Sequence, residues 1–168
     1  MNQDLRTVMR HFATGVCVVS TFSDSSGTRE HDVVTVNSLT SVSLDPALIS
    51  LCFRLDSRFL KDLRESGVWG VSILCGESEA EARAFARNAE SRRASLSETP
   101  HHLGERTGVV LLEAAGWMEC TFRDELVIGD HVMVIGEVVE LGSRDARGPL
   151  IFLQGGFHTL ELETAQLP

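Results

Sequence analysis

The chain has 168 residues, 43% of them apolar and 23% charged, which suits one packed domain over 1–168 and argues against disorder. Twenty-four acids against 15 bases leave a formal charge of −9, so nucleic-acid binding, which draws on clustered Lys and Arg, is not expected. Lys61 is the only lysine, leaving no Gly-Lys pair for Walker-type phosphate chemistry. No apolar run of about 18 residues or basic-then-apolar start occurs, so a cytoplasmic chain without membrane span or signal peptide is expected.

Leu5, Val8, Met9 and Phe12 recur at helical spacing behind Asp4, a suitable cap, and Gly15 suits the stop. Residues 16–22 form a β-branched run that ends in the turn cluster Ser23-Asp24-Ser25-Ser26-Gly27. Further strands are predicted at 33–36, 40–44 and 48–53, the last two separated by Asp45-Pro46. A helix follows, with Phe59, Leu60 and Leu63 on one face, Asp56 or Ser57 as cap and Gly67 at its end. Residues 68–74 return to strand. Ser78-Glu79-Ala80-Glu81 has capping-box spacing and opens a helix to about Asn88. Residues 89–107 are polar and read as a long excursion, a kind of segment that is usually functional or mobile. Strands at 116–127, 132–141, 150–153 and 157–161 complete the chain, with turns at Gly129-Asp130 and Arg147-Gly148-Pro149. Seven or eight short strands with three helices do not alternate as βαβ units. The expected fold is therefore mainly β, an antiparallel barrel with peripheral helices.

Three features could carry chemistry. The stretch from Thr35 to Pro46 places five hydroxyls and the Asn37 amide along strand, a row of neutral donors and acceptors that a planar heterocycle needs. Hydroxyls on strands also commonly face solvent or pair across strands. Asp56-Ser57-Arg58 opens a helix, where free backbone N–H groups, a hydroxyl and a guanidinium can hold a phosphate; an ordinary cap beside a solvated arginine has the same sequence. Gly129-Asp130 makes a tight turn from which His131 emerges, able to hydrogen-bond an amide or phosphate, or simply to flank the turn.

Other chemistry lacks its residues. Cys17, Cys52, Cys75 and Cys120 form no CxxC pair and sit among apolar neighbours, as free buried thiols do. His101-His102 has no partner at metal-ligand spacing, so no metal is expected. Neither a Gly-x-Ser-x-Gly elbow nor Gly-x-Gly-x-x-Gly is present.

In order along the chain stand Arg10-His11-Phe12-Ala13-Thr14-Gly15-Val16, Thr35-Val36-Asn37-Ser38, Ser41-Val42-Ser43-Leu44-Asp45-Pro46, Ser57 with Leu60, Gly129-Asp130-His131, Gly136-Glu137-Val138, Gly148-Pro149-Leu150 and Gly155-Gly156-Phe157. Each is weak alone; the ordered set resembles the flavin reductase family of the FMN-binding split barrel, the reductase components of two-component monooxygenases. Val33, Phe59 and Phe157 stand where many relatives carry Gly or Ala, Thr and Tyr.

The resemblance implies a split β-barrel that binds FMN or FAD and takes hydride from NADH or NADPH. It implies that Thr35, Asn37, Ser38, Ser41, Val42 and Ser43 line the isoalloxazine and ribityl chain, that Ser57 and Arg58 take the flavin phosphate, and that Cys52 and Phe59 join the cofactor contacts. His131 is the implied catalytic residue, on the nicotinamide side. A homodimer is expected, with reduced flavin diffusing to a separate oxygenase. Two other functions stay open: an oxidase or oxygenase acting directly on a small molecule, with 89–107 as its cover, and a non-enzymatic flavin-binding protein.

Overall fold

The computed structural model describes residues 4–24, 27–144 and 148–160. In chain order these form α1 (Leu5–Met9), β1 (Thr14–Gly15), β2 (Cys17–Ser23), β3 (Glu30–Val36), β4 (Thr40–Leu44), β5 (Ala47–Arg54), α2 (Arg58–Ser66) and β6 (Val68–Ile73). A 3-10 turn (Gly76–Ser78), α3 (Glu79–Ala84), α4 (Ala89–Glu98), β7 (His101–Leu103), β8 (Val110–Leu112), β9 (Gly116–Ile128), β10 (His131–Ser143), β11 (Leu150–Leu153) and β12 (Gly156–Thr159) follow. No helix among the described residues is long and apolar enough to cross a membrane.

Seven strands make one antiparallel sheet in the order β3-β2-β6-β9-β10-β5-β4. Every residue of β2 is buried, because both its faces are covered. Cys17 and Val19 point into a core with Leu51, Trp69, Val71, Val132 and Val134, while Val18 packs on the other side with Phe85, Leu96, Val110 and Leu150. That two-sided burial is why the run from Val16 reads as unbroken apolar sequence instead of alternating.

α2 fills the inner core. Ser57 caps it, its Oγ accepting from the Leu60 N–H at 3.3 Å, and Gly67 ends it at φ 68°, a left-handed conformation that glycine adopts without a Cβ clash. Phe59, Leu60 and Leu63 enter the first core from this helix. Burying each such side chain contributes about 1.5–3 kcal/mol. Asp56 does not cap; it pairs with Arg54 at 3.0 Å.

The excursion expected at 89–107 is instead folded. α4 packs on β3 through a buried Arg92–Asp32 ion pair at 2.6 Å, and β7 pairs with β8. The helix opened by Ser78 starts as expected but stops at Ala84, and Ser78 makes no side-chain cap because it ends a 3-10 turn and lies buried beside Cys75. The four cysteines are free; Cys52 differs from the expectation in being only half-buried. Ser25, Ser26, Arg147 and Glu161, parts of expected turns and of the last strand, lie outside the described residues.

Candidate functional site

β3 and β4 are consecutive in the chain yet occupy the two ends of the sheet order. Residues 37–39 alone connect them, a reach of at most about 14 Å from Val36 to Thr40. The sheet has therefore curled until its free edges face one another, with no ladder between them. This is a split barrel, and the crossing segment carries Asn37 and Ser38.

Both side chains are held. Asn37 Nδ2 donates to Thr14 Oγ1 at 3.1 Å, and Ser38 Oγ accepts from the Cys52 N–H at 3.1 Å. Around them lies an open groove of about 560 Å³ bordered by Phe12, Thr14, Cys17, Asn37, Ser38 and Ile73. A cavity of about 160 Å³ adjoins at Asn37, lined also by Thr35, Phe152 and Phe157. Thr35 is tied inward: its Oγ1 donates to the Ala82 carbonyl at 2.7 Å and its N–H to the Phe85 carbonyl at 3.1 Å. Its hydroxyl keeps lone pairs but has spent its proton.

β4 is the free edge beside the split. Ser41 and Ser43 flank a register shift at Val42, half of whose surface is exposed, and neither hydroxyl has a partner among the described residues. One long side of β4 also leaves its N–H and C=O groups without a neighbouring strand. These residues can form hydrogen bonds with a planar polar ring without breaking any bond of the fold.

The far side of Ser38 continues along β5 and β10. Cys52 opposes Met133 and Arg54 opposes His131, while Phe53 and Leu51 point the other way into the core. Strand alternation therefore places Cys52, Arg54, Met133 and His131 on one outer face, with His131 about 7 Å along from the Ser38 anchor. The exposed Leu126 and Ile128 of β9 oppose Met133 and His131 on that face. Burial pushes the Cys52 thiol above its ordinary range, so it is a neutral lining group and not a nucleophile. Cys17 and Cys120 are pushed up to about 12 for the same reason. His131 Nδ1 lies 2.8 Å from Asp130 Oδ1, and that hydrogen bond, with the imidazole's charge, holds the Asp130 carboxyl below its usual range.

Three residues past Arg54, Ser57 and Arg58 open α2. The Arg58 guanidinium makes no ion pair among the described residues. Phe59 is a correction. Its ring is 3% exposed and packs 5.4 Å from Phe53 inside the core, so it offers a ligand only its backbone N–H. The apolar residue that departs from the resemblance there is needed by the interior. Val33, a second departure, is likewise fully buried.

The flavin reductase-like domain family matches residues 9–161. The chain belongs to that family. The NADH-dependent flavin reductase of a Rhodococcus species is 36% identical over 160 residues, covering 94% of this chain and 86% of that protein. The probable flavin reductase of Rhizobium meliloti is 35% identical over 158 residues; it again covers 94% of this chain, which spans about half (49%) of that longer protein. Among solved structures, BorF, the flavin reductase component of a bacterial two-component tryptophan halogenase, superposes with a TM-score of 0.86 at 34% identity, covering 95% of this chain and 98% of BorF. This flavin reductase-like chain thus has the split-barrel fold expected from its motifs.

Members that sequence reasoning gave no role are Thr14 and Ile73 in the groove, Phe152 in the adjoining cavity, and beside them Arg6, Arg10 and Gln154. Thr14 and Arg10 fall in the motif that carried the resemblance, yet no local pattern reveals that Thr14 will hold Asn37. Residues 89–107 border none of these three cavities. Four of them, His102, Leu103, Gly104 and Glu105, line a separate one against Trp117 and Glu119.

Proposed function

We propose that this flavin reductase-like chain is one NAD(P)H:flavin oxidoreductase domain, active as a homodimer, that reduces FMN or FAD with NADH or NADPH and releases reduced flavin to a separate oxygenase. The observation that carries this reading is the split itself. A crossing segment with a fixed amide and hydroxyl borders a 560 Å³ groove that reaches the unpaired edge strand at Thr40, next in sequence to the uncommitted Ser41 and two residues before Ser43.

When bound there, flavin supplies the redox chemistry, taking up a hydride from the reduced nicotinamide. The chain's task is positioning, which can carry most of the catalysis in a transfer between stacked rings. Asn37, Ser41, Ser43 and the free N–H groups of β4 are donors for the carbonyl and nitrogen edge of the ring, while Ser38, whose hydroxyl donates to the Cys52 carbonyl at 3.3 Å and accepts from the Cys52 N–H, fixes the crossing segment. Val42 and Cys52 give that ring an apolar border. Thr35 acts as an acceptor and a spacer. Arg58 and the first N–H groups of α2, with Ser57 fixing their direction, hold a phosphate.

His131 is assigned to the nicotinamide. Asp130 offers an acceptor to Nδ1, which orients the ring and leaves Nε2 to meet a carboxamide. The homodimer reading rests on apolar side chains that no described residue covers: Leu5, Val8 and Met9 of α1, and Leu126, Val127 and Ile128 beside His131. The folded state of 89–107, away from the groove, favours a site open to exchanging flavin over one sealed by a substrate cover.

The test is nicotinamide oxidation by the purified protein with FMN or FAD added. Turnover that rises with free flavin is expected; a tightly bound flavin inert to both nicotinamides overturns the reductase in favour of a flavin-binding protein. His131→Ala is expected to raise KM for the nicotinamide, lower turnover or both, with flavin affinity held. A lowered melting temperature with normal kinetics would end the catalytic role of His131.

A further inference from the structure

Most cations of this chain are committed. Arg29, Arg54, Lys61, Arg64, Arg83, Arg92, Arg93, Arg106, Arg123 and Arg144 all make ion pairs. Among the described residues, Arg6, Arg10, Arg58 and Arg87 do not. Two of these four, Arg6 and Arg10, face the same cavity of about 280 Å³, together with Phe12, Phe152, Gln154 and Asn37. In a protein of formal charge −9, two neighbouring uncompensated guanidiniums at the mouth of a groove are a local reversal of sign.

Their backbones are fixed. Asp4 Oδ1 accepts from the Arg6 N–H at 3.2 Å, and the Arg10 N–H donates to the Arg6 carbonyl at 3.1 Å. The Arg10 carbonyl accepts from the Gln154 N–H at 3.0 Å, which ties the end of α1 to the β11–β12 turn. Gln154 and Gly155 form that two-residue turn at φ 53° and 84°, a geometry whose twist suits a tight hairpin. The arginines are four residues apart on one side of a helical turn, so both heads can reach a single anion. Phe12, 63% exposed, offers a ring face at the same opening. Asn37 and Thr14 border both this cavity and the groove, so a ligand lying in the groove can extend into it.

We infer that Arg6 and Arg10 form an anionic subsite for the adenosine-phosphate arm of a dinucleotide, with phosphate on the guanidiniums and adenine against Phe12. The inference rests on the reductase reading above. Because that reading gives the flavin's own phosphate to Arg58 and the α2 N-terminus, the dinucleotide favoured here is the nicotinamide donor. FAD carries the same arm, and the experiment separates the two sources.

Arg6→Gln/Arg10→Gln is compared with the full wild-type chain for KM toward NADH and NADPH, with FMN as acceptor. FMN and FAD affinity are measured without nicotinamide, and adenosine diphosphate serves as a competitive probe. Loss of two charged hydrogen bonds to phosphate is expected to raise the nicotinamide KM and the inhibition constant of adenosine diphosphate about 10- to 100-fold, with FMN affinity unchanged. Arg6→Gln/Arg10→Lys is expected to restore part of the loss, because the point charge returns without the fork. A fall in FAD affinity with unchanged nicotinamide KM assigns the same subsite to the flavin dinucleotide. Unchanged values for both dinucleotides, in a variant with wild-type melting temperature, overturn the subsite. Wild-type protein that oxidises neither nicotinamide overturns the reductase reading instead, so the two failures are distinct.

Discussion

α1 and α2 start from the same kind of sequence and end in opposite surroundings. Each has apolar residues at helical spacing and a side-chain cap, Asp4 in one and Ser57 in the other. α2 buries Phe59, Leu60 and Leu63 in the core, whereas α1 buries nothing and leaves Leu5 72% exposed. The pattern specifies a helix with one apolar side; it does not name what covers that side. For α2 the answer lies within the chain, and its function is confined to its exposed first turn. For α1 no such partner lies among the described residues, and its apolar side and its arginines stay exposed there.

The largest expected effect tests the α2 half of that contrast. Leu60→Ala removes a fully buried side chain beside Trp69 and is expected to cost about 2–5 kcal/mol in chemical denaturation. A loss below about 1 kcal/mol would mean that α2 is not the plug of the barrel. Arg58→Ala, on the exposed turn of the same helix, should weaken flavin binding by about 1.5–3 kcal/mol in a titration while leaving the melting temperature close to wild type. Equal affinity would remove Arg58 from the site.

Asp62 lies on the same helix and offers a test with a sign. It is largely buried, and desolvation raises its carboxyl above the usual range, with Asp32 and Glu65 acting in the same direction and Arg58 and Lys61 against it. The folded state therefore holds this proton more tightly than the unfolded chain does. Ionising Asp62 works against folding above the carboxylate range, and that penalty disappears as pH falls through the raised value. Asp62→Asn is expected to melt higher than wild type at neutral pH, with the gap closing on acidification. A gap that is constant with pH would mean that burial of the charge is not what separates the two proteins.

The smallest effect on folding belongs to α1. Val8→Ala is expected to change stability against denaturant by no more than about 0.5 kcal/mol at concentrations where the chain is monomeric, because the residue touches no core. Its consequence should appear in sedimentation, as weaker self-association than wild type. Unaltered association would mean that a second copy does not cover this helix.

How much could be read in advance depended on the range of the interaction responsible. β2, β5 and β6 were legible because β-branched and apolar runs between turn residues leave the chain few alternatives. α4 was not. Its residues carry no apolar stripe and bury only Leu96, and it is held to β3 by Arg92 reaching Asp32, sixty positions away. Ser78 shows the converse: a correct capping pattern whose hydroxyl is not used, because the 3-10 turn before it sets a backbone that an N-cap does not adopt. Phe59 was a cofactor contact by the resemblance alone, while its place on the apolar face with Leu60 and Leu63 puts its ring in the core.

The groove divides in the same way. The hydroxyl row of residues 35–43, the turn that precedes His131 and the cap at Ser57 are local features, and local chemistry alone decides which residues can donate or accept there. That Asn37 meets Thr14, that Ser38 rests on Cys52, and that Phe152 joins them depended on a seven-stranded sheet closing until β3 and β4 faced each other. Composition and spacing determined the strands, the caps and the available donors, since each depends on a few neighbouring residues. Only the tertiary structure decided which of those donors look into one cavity and which helix is left uncovered, because both follow from contacts between segments as much as about 140 residues apart, whose geometry no local pattern encodes.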